Sequence, residues 1–295
     1  MKNVSETLAG RVGILKLQGL SQAEMAGRTQ APPFLPTEKV LSDAERTVTP
    51  MALMPLYERI WRGSFPAIAT SDVSHDVFFS SYLQTYIQRD VRDLARVGDE
   101  AAFLRFVRAA AARSGQLLNM ADIARDVEAD NKTIKHWLSI LETSGLIYLL
   151  EPYHTNLTKR LVKAPKLYFI DTGLCSFLTR WTSPQALEAG AMSGPMFETY
   201  ALGEILKSYW HNAKTPAIWF YRDKDGKEID LVLEESGTIH PVEIKKTARP
   251  TLEMVRQFSA LRRLDKPLGP GALLCMTERH LPLSAEVYAV PASYI

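Results

Sequence analysis

The stretch that decides the fold of the C-terminal half reads Glu228-Ile229-Asp230-Leu231-Val232-Leu233-Glu234-Glu235-Ser236-Gly237-Thr238-Ile239-His240-Pro241-Val242-Glu243-Ile244-Lys245. Two strand-like runs flank Ser236-Gly237, a pair suited to a two-residue hairpin turn. That turn sets residue 235 opposite 238, and so Asp230 opposite Glu243 and Glu228 opposite Lys245. Strand side chains alternate between faces. Ile229, Leu231 and Leu233 are therefore expected to share one face with Val242 and Ile244, while Glu228, Asp230, Glu243 and Lys245 share the other. Two carboxylates directly opposite in a sheet sit roughly 5 Å apart at Cβ and repel. A divalent cation held between oxygens compensates that repulsion, and Mg or Mn is the expected ion. Lys245 stands beside it, placed to orient a water or steady charge on a phosphate. A plainer alternative stays open, in which Glu228 and Lys245 form a cross-strand ion pair and Asp230 accepts hydrogen bonds at a strand end.

Outward from this hairpin the pattern is that of a small α/β unit. Met196 to Trp210 reads as a helix, Ala217 to Tyr221 and Gly271 to Met276 as strands, and Leu252 to Leu264 as a helix. On the first helix Glu198 falls on the stripe of Ala201, Leu202, Ile205 and Tyr209, and a carboxylate on a buried stripe needs a partner. Aimed at Asp230 and Glu243, it would supply one; exposed near the helix start, it would be favoured by the dipole. Glu204 falls beside Tyr200, Lys207 and Ser208, on the expected wetter side.

Upstream, helical patterns dominate from about residue 51 to 145. Phe78 to Val97 is amphipathic, and Glu100 to Ser114 presents Phe103, Phe106, Val107 and Ala110 on one side, with Gly115 as its cap. Met120 to Val127 and Thr133 to Thr143 are short helices joined at Ala129-Asp130-Asn131, with Ile134, Trp137, Leu138 and Leu141 facing inward. Two short helices and a tight turn after a longer helix make a helix-turn-helix. Strands over Leu146–Leu150 and Lys166–Ile170 complete a wing. Between residues 131 and 166, six Lys or Arg stand against two acids, Glu142 and Glu151. The expected DNA contacts are Thr133, Lys135 and His136 in the groove, with Lys159, Arg160 and Lys163 on phosphates. The alternative is a helix-turn-helix that contacts protein only.

Composition agrees with a globular chain: 295 residues, 46% apolar, 23% charged and net charge +2. A charge that small does not argue for nucleic acid; only local clustering does. No run of about 18 apolar residues exists, so no membrane span is expected. The start lacks the apolar core of a signal peptide, and two lone cysteines, Cys175 and Cys275, fit a reducing, cytoplasmic setting.

Asp230 followed by Glu243-Ile244-Lys245 resembles the PD-(D/E)xK nuclease superfamily. That resemblance implies Asp230 and Glu243 as metal ligands, Lys245 as the assisting lysine and Glu198 as the helix-borne acid that completes the catalytic shell. Nearly the whole chain is similar to the C-terminal part of a prokaryotic AAA-type ATPase family with an uncharacterised C-terminal domain. The carriers are Leu8-Ala9-Gly10-Arg11-Val12, Thr85-Tyr86-Ile87-Gln88-Arg89-Asp90-Val91, Lys166 through Leu174, Phe197-Glu198, Tyr221-Arg222, Glu228-Ile229-Asp230 and Val242 through Lys245. The phosphate-binding Gly-x4-Gly-Lys-Ser/Thr loop of such an ATPase is missing, so the chain itself is expected to use no ATP. An ATPase partner or a homo-oligomer is the assembly this implies.

The expected fold class is therefore mixed α+β. Residues 1–50 are the remnant of an ATPase core end plus linker, with the strand-like Arg11–Leu17. Residues 51–185 form a helical winged helix-turn-helix domain, and 190–295 a restriction-endonuclease-like α/β domain. The expected function is DNA binding with metal-dependent phosphodiester hydrolysis. The alternative is a non-catalytic DNA-binding or assembly module built on a nuclease fold.

Overall fold

The structure, a computed structural model, describes residues 17–86, 99–154 and 164–295. The predicted strand Arg11–Leu17 and the helical stretch beyond Tyr86 lie wholly or mostly outside these residues. The described chain is mixed α/β, with helices, a small antiparallel sheet and a larger mixed sheet.

The helices in chain order are α1 (Gln22–Met25), α2 (Glu38–Thr47), α3 (Leu53–Arg62), α4 (Pro66–Ala69), α5 (His75–Tyr86), α6 (Glu100–Ala111), α7 (Met120–Val127), α8 (Asn131–Thr143), α9 (Thr172–Leu178), α10 (Pro184–Ala189) and α11 (Ser193–Trp210). The prolines at 32, 33 and 36 stand outside any helix, but α2 follows them and buries Leu41 and Ala44 within the stretch expected as linker.

The middle of the chain runs helix, strand, helix, helix, strand, strand. Strands β1 (Gln116–Leu117), β2 (Ile147–Leu150) and β3 (Lys166–Phe169) pair antiparallel in the order β1-β3-β2. Capping explains the helix starts: Asn119 accepts from the Ala121 and Asp122 N–H groups, and Asp130 accepts from that of Thr133. Trp137 of α8 packs against Phe103 and Phe106 of α6, at ring separations of 5.6 and 5.3 Å.

The larger sheet contains β4 (Ile218–Arg222), β5 (Glu228–Glu235), β6 (Thr238–Ile244), β7 (Gly271–Cys275), β8 (Leu281–Pro282) and β9 (Val287–Pro291), in the order β4-β5-β6-β7-β9-β8. The β5–β6 register is the one the turn dictates, with Glu235 opposite Thr238 and Leu231 opposite Val242. Pairs β6–β7 and β7–β9 are parallel. Parallel strands are covered on both faces. One face packs Leu231, Leu233, Val242, Ile244 and Leu274 toward α11. The other packs Val232, Ile239, Leu273 and Ala289 under Val255, Phe258 and Leu261. Those last three belong to Leu252–Arg263, which winds as a 3₁₀ helix.

Two junctions tie the halves together. Beyond β2 the chain meets β4: the Phe220 N–H donates to the Glu151 carbonyl, and the Tyr153 N–H donates to that of Phe220. At the other junction Asp171 caps α9 through the Leu174 N–H and accepts from the Ser64 N–H and hydroxyl at 2.7 and 2.8 Å. A Cβ on Gly173 would stand 2.4 Å from the Arg62 carbonyl oxygen, so only glycine lets these backbones meet.

The expected wet side of α11 is a correction. Glu204 and Lys207 are each 2% exposed and bond each other at 2.5 Å. The chain entering α1 covers them: the Gln22 N–H, at the first residue of that helix, donates to Glu204 at 2.7 Å, and Lys207 donates to the Leu20 carbonyl at 3.0 Å. The polar face of α11 is thus a sealed ion pair.

Candidate acidic site at the seam between the sheets

The β4–β5 pairing slips by one residue. Ile218 and Trp219 face Leu233 and Val232, whereas Tyr221 faces Ile229, so β5 carries one extra residue at 230–231. Such a bulge bends the strand and re-aims its side chains. It corrects the expected face assignment: Ile229 packs with Val232 and Tyr221, not with Leu231 and Leu233. Asp230 sits at this irregularity.

The ladder between β5 and β6 ends at Leu231 and Val242, and beyond it the Ile244 N–H donates to Asp230 Oδ2 at 2.8 Å. Glu243 and Asp230 are each 6% exposed. Lys245 Nζ lies 2.6 Å from Glu243 Oε1 and 3.4 Å from Asp230 Oδ2. The second oxygen of Glu243 is buried with no hydrogen-bond partner among the described residues. Lys246, the next residue along, turns away from the carboxylates and donates to the Glu188 carbonyl and the Ser193 hydroxyl, each at 2.8 Å.

Burial first, and the neighbouring Asp230 second, push the Glu243 carboxyl up to about 7 against the pull of Lys245. Burial works against the Lys245 charge, but Asp230 and Glu243 outweigh it and hold the ammonium form. Glu198 is likewise raised, by burial and then by Asp230, against Lys166 and Tyr168.

Glu198 does face this site from α11, and its partners come from the other half of the molecule. Tyr168 donates its hydroxyl to Glu198 Oε1 at 2.5 Å, and Lys166 Nζ stands 3.3 Å from the same oxygen. Lys166 also reaches Glu228 Oε1 at 2.6 Å. Glu228 therefore pairs with Lys166 and, at 3.7 Å, with Arg222 on β4, which corrects the alternative of a Glu228–Lys245 cross-strand ion pair. Lys166, Tyr168 and Arg222 are the site residues that sequence reasoning missed as such. The signal was the alternation Lys166-x-Tyr168, which puts both side chains on one face of a strand.

No group of three or more His, Cys, Asp or Glu among the described residues is gathered as a metal cluster. The chemistry of the donors nonetheless suits a hard cation: two carboxylates, one with an unsatisfied oxygen, repelling each other in a buried place. Mg²⁺ is commonly held by only one or two carboxylates, with waters and phosphate oxygens completing its shell.

On α8, Lys135 and His136 are exposed and Thr133 is half-buried, beside exposed Lys132. Lys159, Arg160 and Lys163 lie outside the described residues. No helix among the described residues is long and apolar enough to cross a membrane.

Residues 55–185 match a family described as "Domain of unknown function (DUF8612)", and residues 193–295 match one described as "Domain of unknown function (DUF4143)". An uncharacterized protein of Mycobacterium bovis and one of Mycobacterium tuberculosis are each 29% identical over 294 residues, 99% of this chain. The chain spans 59% of the length of these curated relatives.

Proposed function

We propose that residues 193–295 form a PD-(D/E)xK-like domain that acts on phosphodiesters with a divalent cation, and that α6–α8 with β1–β3 form a winged helix-turn-helix that binds DNA. One observation carries the first part: the bulge brings Asp230 beside Glu243 and leaves a buried Glu243 oxygen without a partner. Asp230 and Glu243 would hold Mg²⁺ or Mn²⁺. A cation there would polarise a phosphoryl oxygen and acidify a water. Lys245, with its side chain 44% exposed, can turn outward to meet a phosphate oxygen. The Ile244 N–H fixes the Asp230 carboxylate, and Tyr168 with Lys166 fixes Glu198.

Support for the second part is the element order, the three-stranded antiparallel sheet and the basic outer face of α8. Such a face binds duplex by contacts whose affinity falls with salt, with a slope of about −0.9 per neutralised phosphate. A second reading has its own observation. Lys166 and Lys245 already neutralise much of the acidic cluster, as in a structural network, which suits a non-catalytic DNA-binding or assembly module acting with an ATPase partner or a second copy.

The deciding experiment is calorimetric titration of the chain with Mn²⁺ and Mg²⁺, alongside Asp230→Ala, followed by cleavage assays on duplex, single-stranded and branched DNA. Saturable binding lost in the variant, with Mn²⁺-dependent cleavage, is the expected outcome. Absence of binding at millimolar metal would leave the second reading standing alone.

A further inference from the structure

The two lysines of the acidic site differ in a way that the nuclease resemblance does not explain. Lys245 follows β6, is half exposed and can leave its carboxylates. Lys166 is fixed. It belongs to β3 of the helical half, its side chain is 4% exposed, and its stem crosses the seam where β2 runs into β4. Its Nζ lies 2.6 Å from Glu228, 3.3 Å from Glu198 and 5.7 Å above the Phe220 ring, so carboxylates and an aromatic face surround the charge. Tyr168, two residues on along the same strand, holds the shared Glu198 oxygen in place.

We propose that the Lys166 ammonium is a resident cation of the site, standing between Glu198 and Glu228 where a second divalent ion would otherwise sit, so that the chain takes one divalent cation, at Asp230 and Glu243. The inference rests on the metal-binding reading above. Charge balance agrees with it. Four carboxylates (Glu198, Glu228, Asp230 and Glu243) meet two lysines, with Arg222 touching Glu228 only from the exposed rim. With all four ionised, as metal binding at the raised Glu243 carboxyl requires, the two negative charges left over match one divalent ion, not two. Geometry agrees as well: the unpartnered oxygen is on Glu243, at the end away from Lys166, while the Glu198 end already has its donors. A lysine is a point charge that cannot be lost to chelators, so the Glu198 end stays neutralised whether or not metal is present.

The stoichiometry of Mn²⁺ binding to the full chain tests this, measured by calorimetry and by equilibrium dialysis for the native protein and for Lys166→Met, which keeps the stem and removes the charge. One ion in the native chain and two in Lys166→Met is the expected result. One ion in both, or two in the native chain, would overturn the inference while leaving the metal-binding reading intact. No ion in the native chain but one in Lys166→Met would support the resident cation and sink the Asp230–Glu243 assignment. No ion in either sinks both. If Lys166→Met does not fold, Lys166→Gln, which keeps a polar head beside Glu198 and Glu228 without the charge, is titrated in the same way with the same expected and overturning outcomes.

Discussion

The raised carboxyl of Glu243 makes a thermodynamic consequence measurable without any substrate. In the unfolded chain this group titrates near 4.5; in the folded protein, buried against Asp230, it titrates near 7. Between those values the folded state holds a proton that the unfolded state has released. Its contribution to stability is therefore present below about pH 4.5 and lost as pH rises toward 7. One pH unit corresponds to about 1.4 kcal/mol, so the loss is of order 3 kcal/mol by pH 8. Glu243→Gln keeps the shape and the contact with Lys245 but never ionises. In urea denaturation with chelator present, the variant is expected to exceed the native chain by about 1–3 kcal/mol at pH 8 and to match it near pH 4.5. Saturating Mn²⁺ at pH 8 should then stabilise the native chain by about 2.7 kcal/mol at a hundredfold excess over Kd, and the variant far less. The reasoning is wrong if Glu243→Gln is the less stable protein at pH 8, or if its stability follows the same pH slope as the native chain.

Lys207→Met removes one partner of a sealed ion pair and strands Glu204, and should cost about 3–5 kcal/mol in urea denaturation; a change under about 1 kcal/mol would mean that the N-terminal segment opens readily. Ser236 adopts φ +50° and Gly237 φ +81°, as a type I′ turn demands, and Asn tolerates the first position better than Ser. Ser236→Asn should therefore stabilise the protein, by about 0.5 kcal/mol in the same assay. Residues 193–295 expressed alone lose Lys166, Tyr168 and the shared core, so they should fail to give a cooperative thermal transition but recover one when mixed with residues 1–192.

The parts of the fold that were legible are the ones written locally. Asp130 announces its helix because the cap is one side chain meeting an N–H three residues on. The Ser236-Gly237 turn set the β5–β6 register as far as Leu231 and Val242. The bulge was not legible, since which strand carries the extra residue depends on β4, and nothing between 228 and 245 encodes that pairing. The burial of Glu204 depends on Gln22, 182 residues away in sequence. The charge on Lys166 read as one more basic residue of a wing, because its carboxylates belong to α11 and β5.

These misses share a cause, and it bears on how the site works. Every residue the sequence assigned to the acidic site lies between 198 and 245, yet the charge that satisfies Glu198 comes from β3. Lys166 can reach it because the chain beyond β2 hydrogen-bonds to Phe220 of β4, which brings the small sheet alongside the large one. The contact that joins the halves and the contact that neutralises the site are thus adjacent along one seam. Separating the sheets would leave Glu198 and Glu228 facing each other without Lys166, at the desolvation cost of unpaired buried charge. The strand that prevents this is paired to β2, and β2 follows α8, whose outer face carries the exposed Lys132, Lys135 and His136. A displacement of α8 that carried the β2–β3 pair with it would shift Lys166 relative to Glu198. The site and the basic face are therefore mechanically connected through one short antiparallel pair.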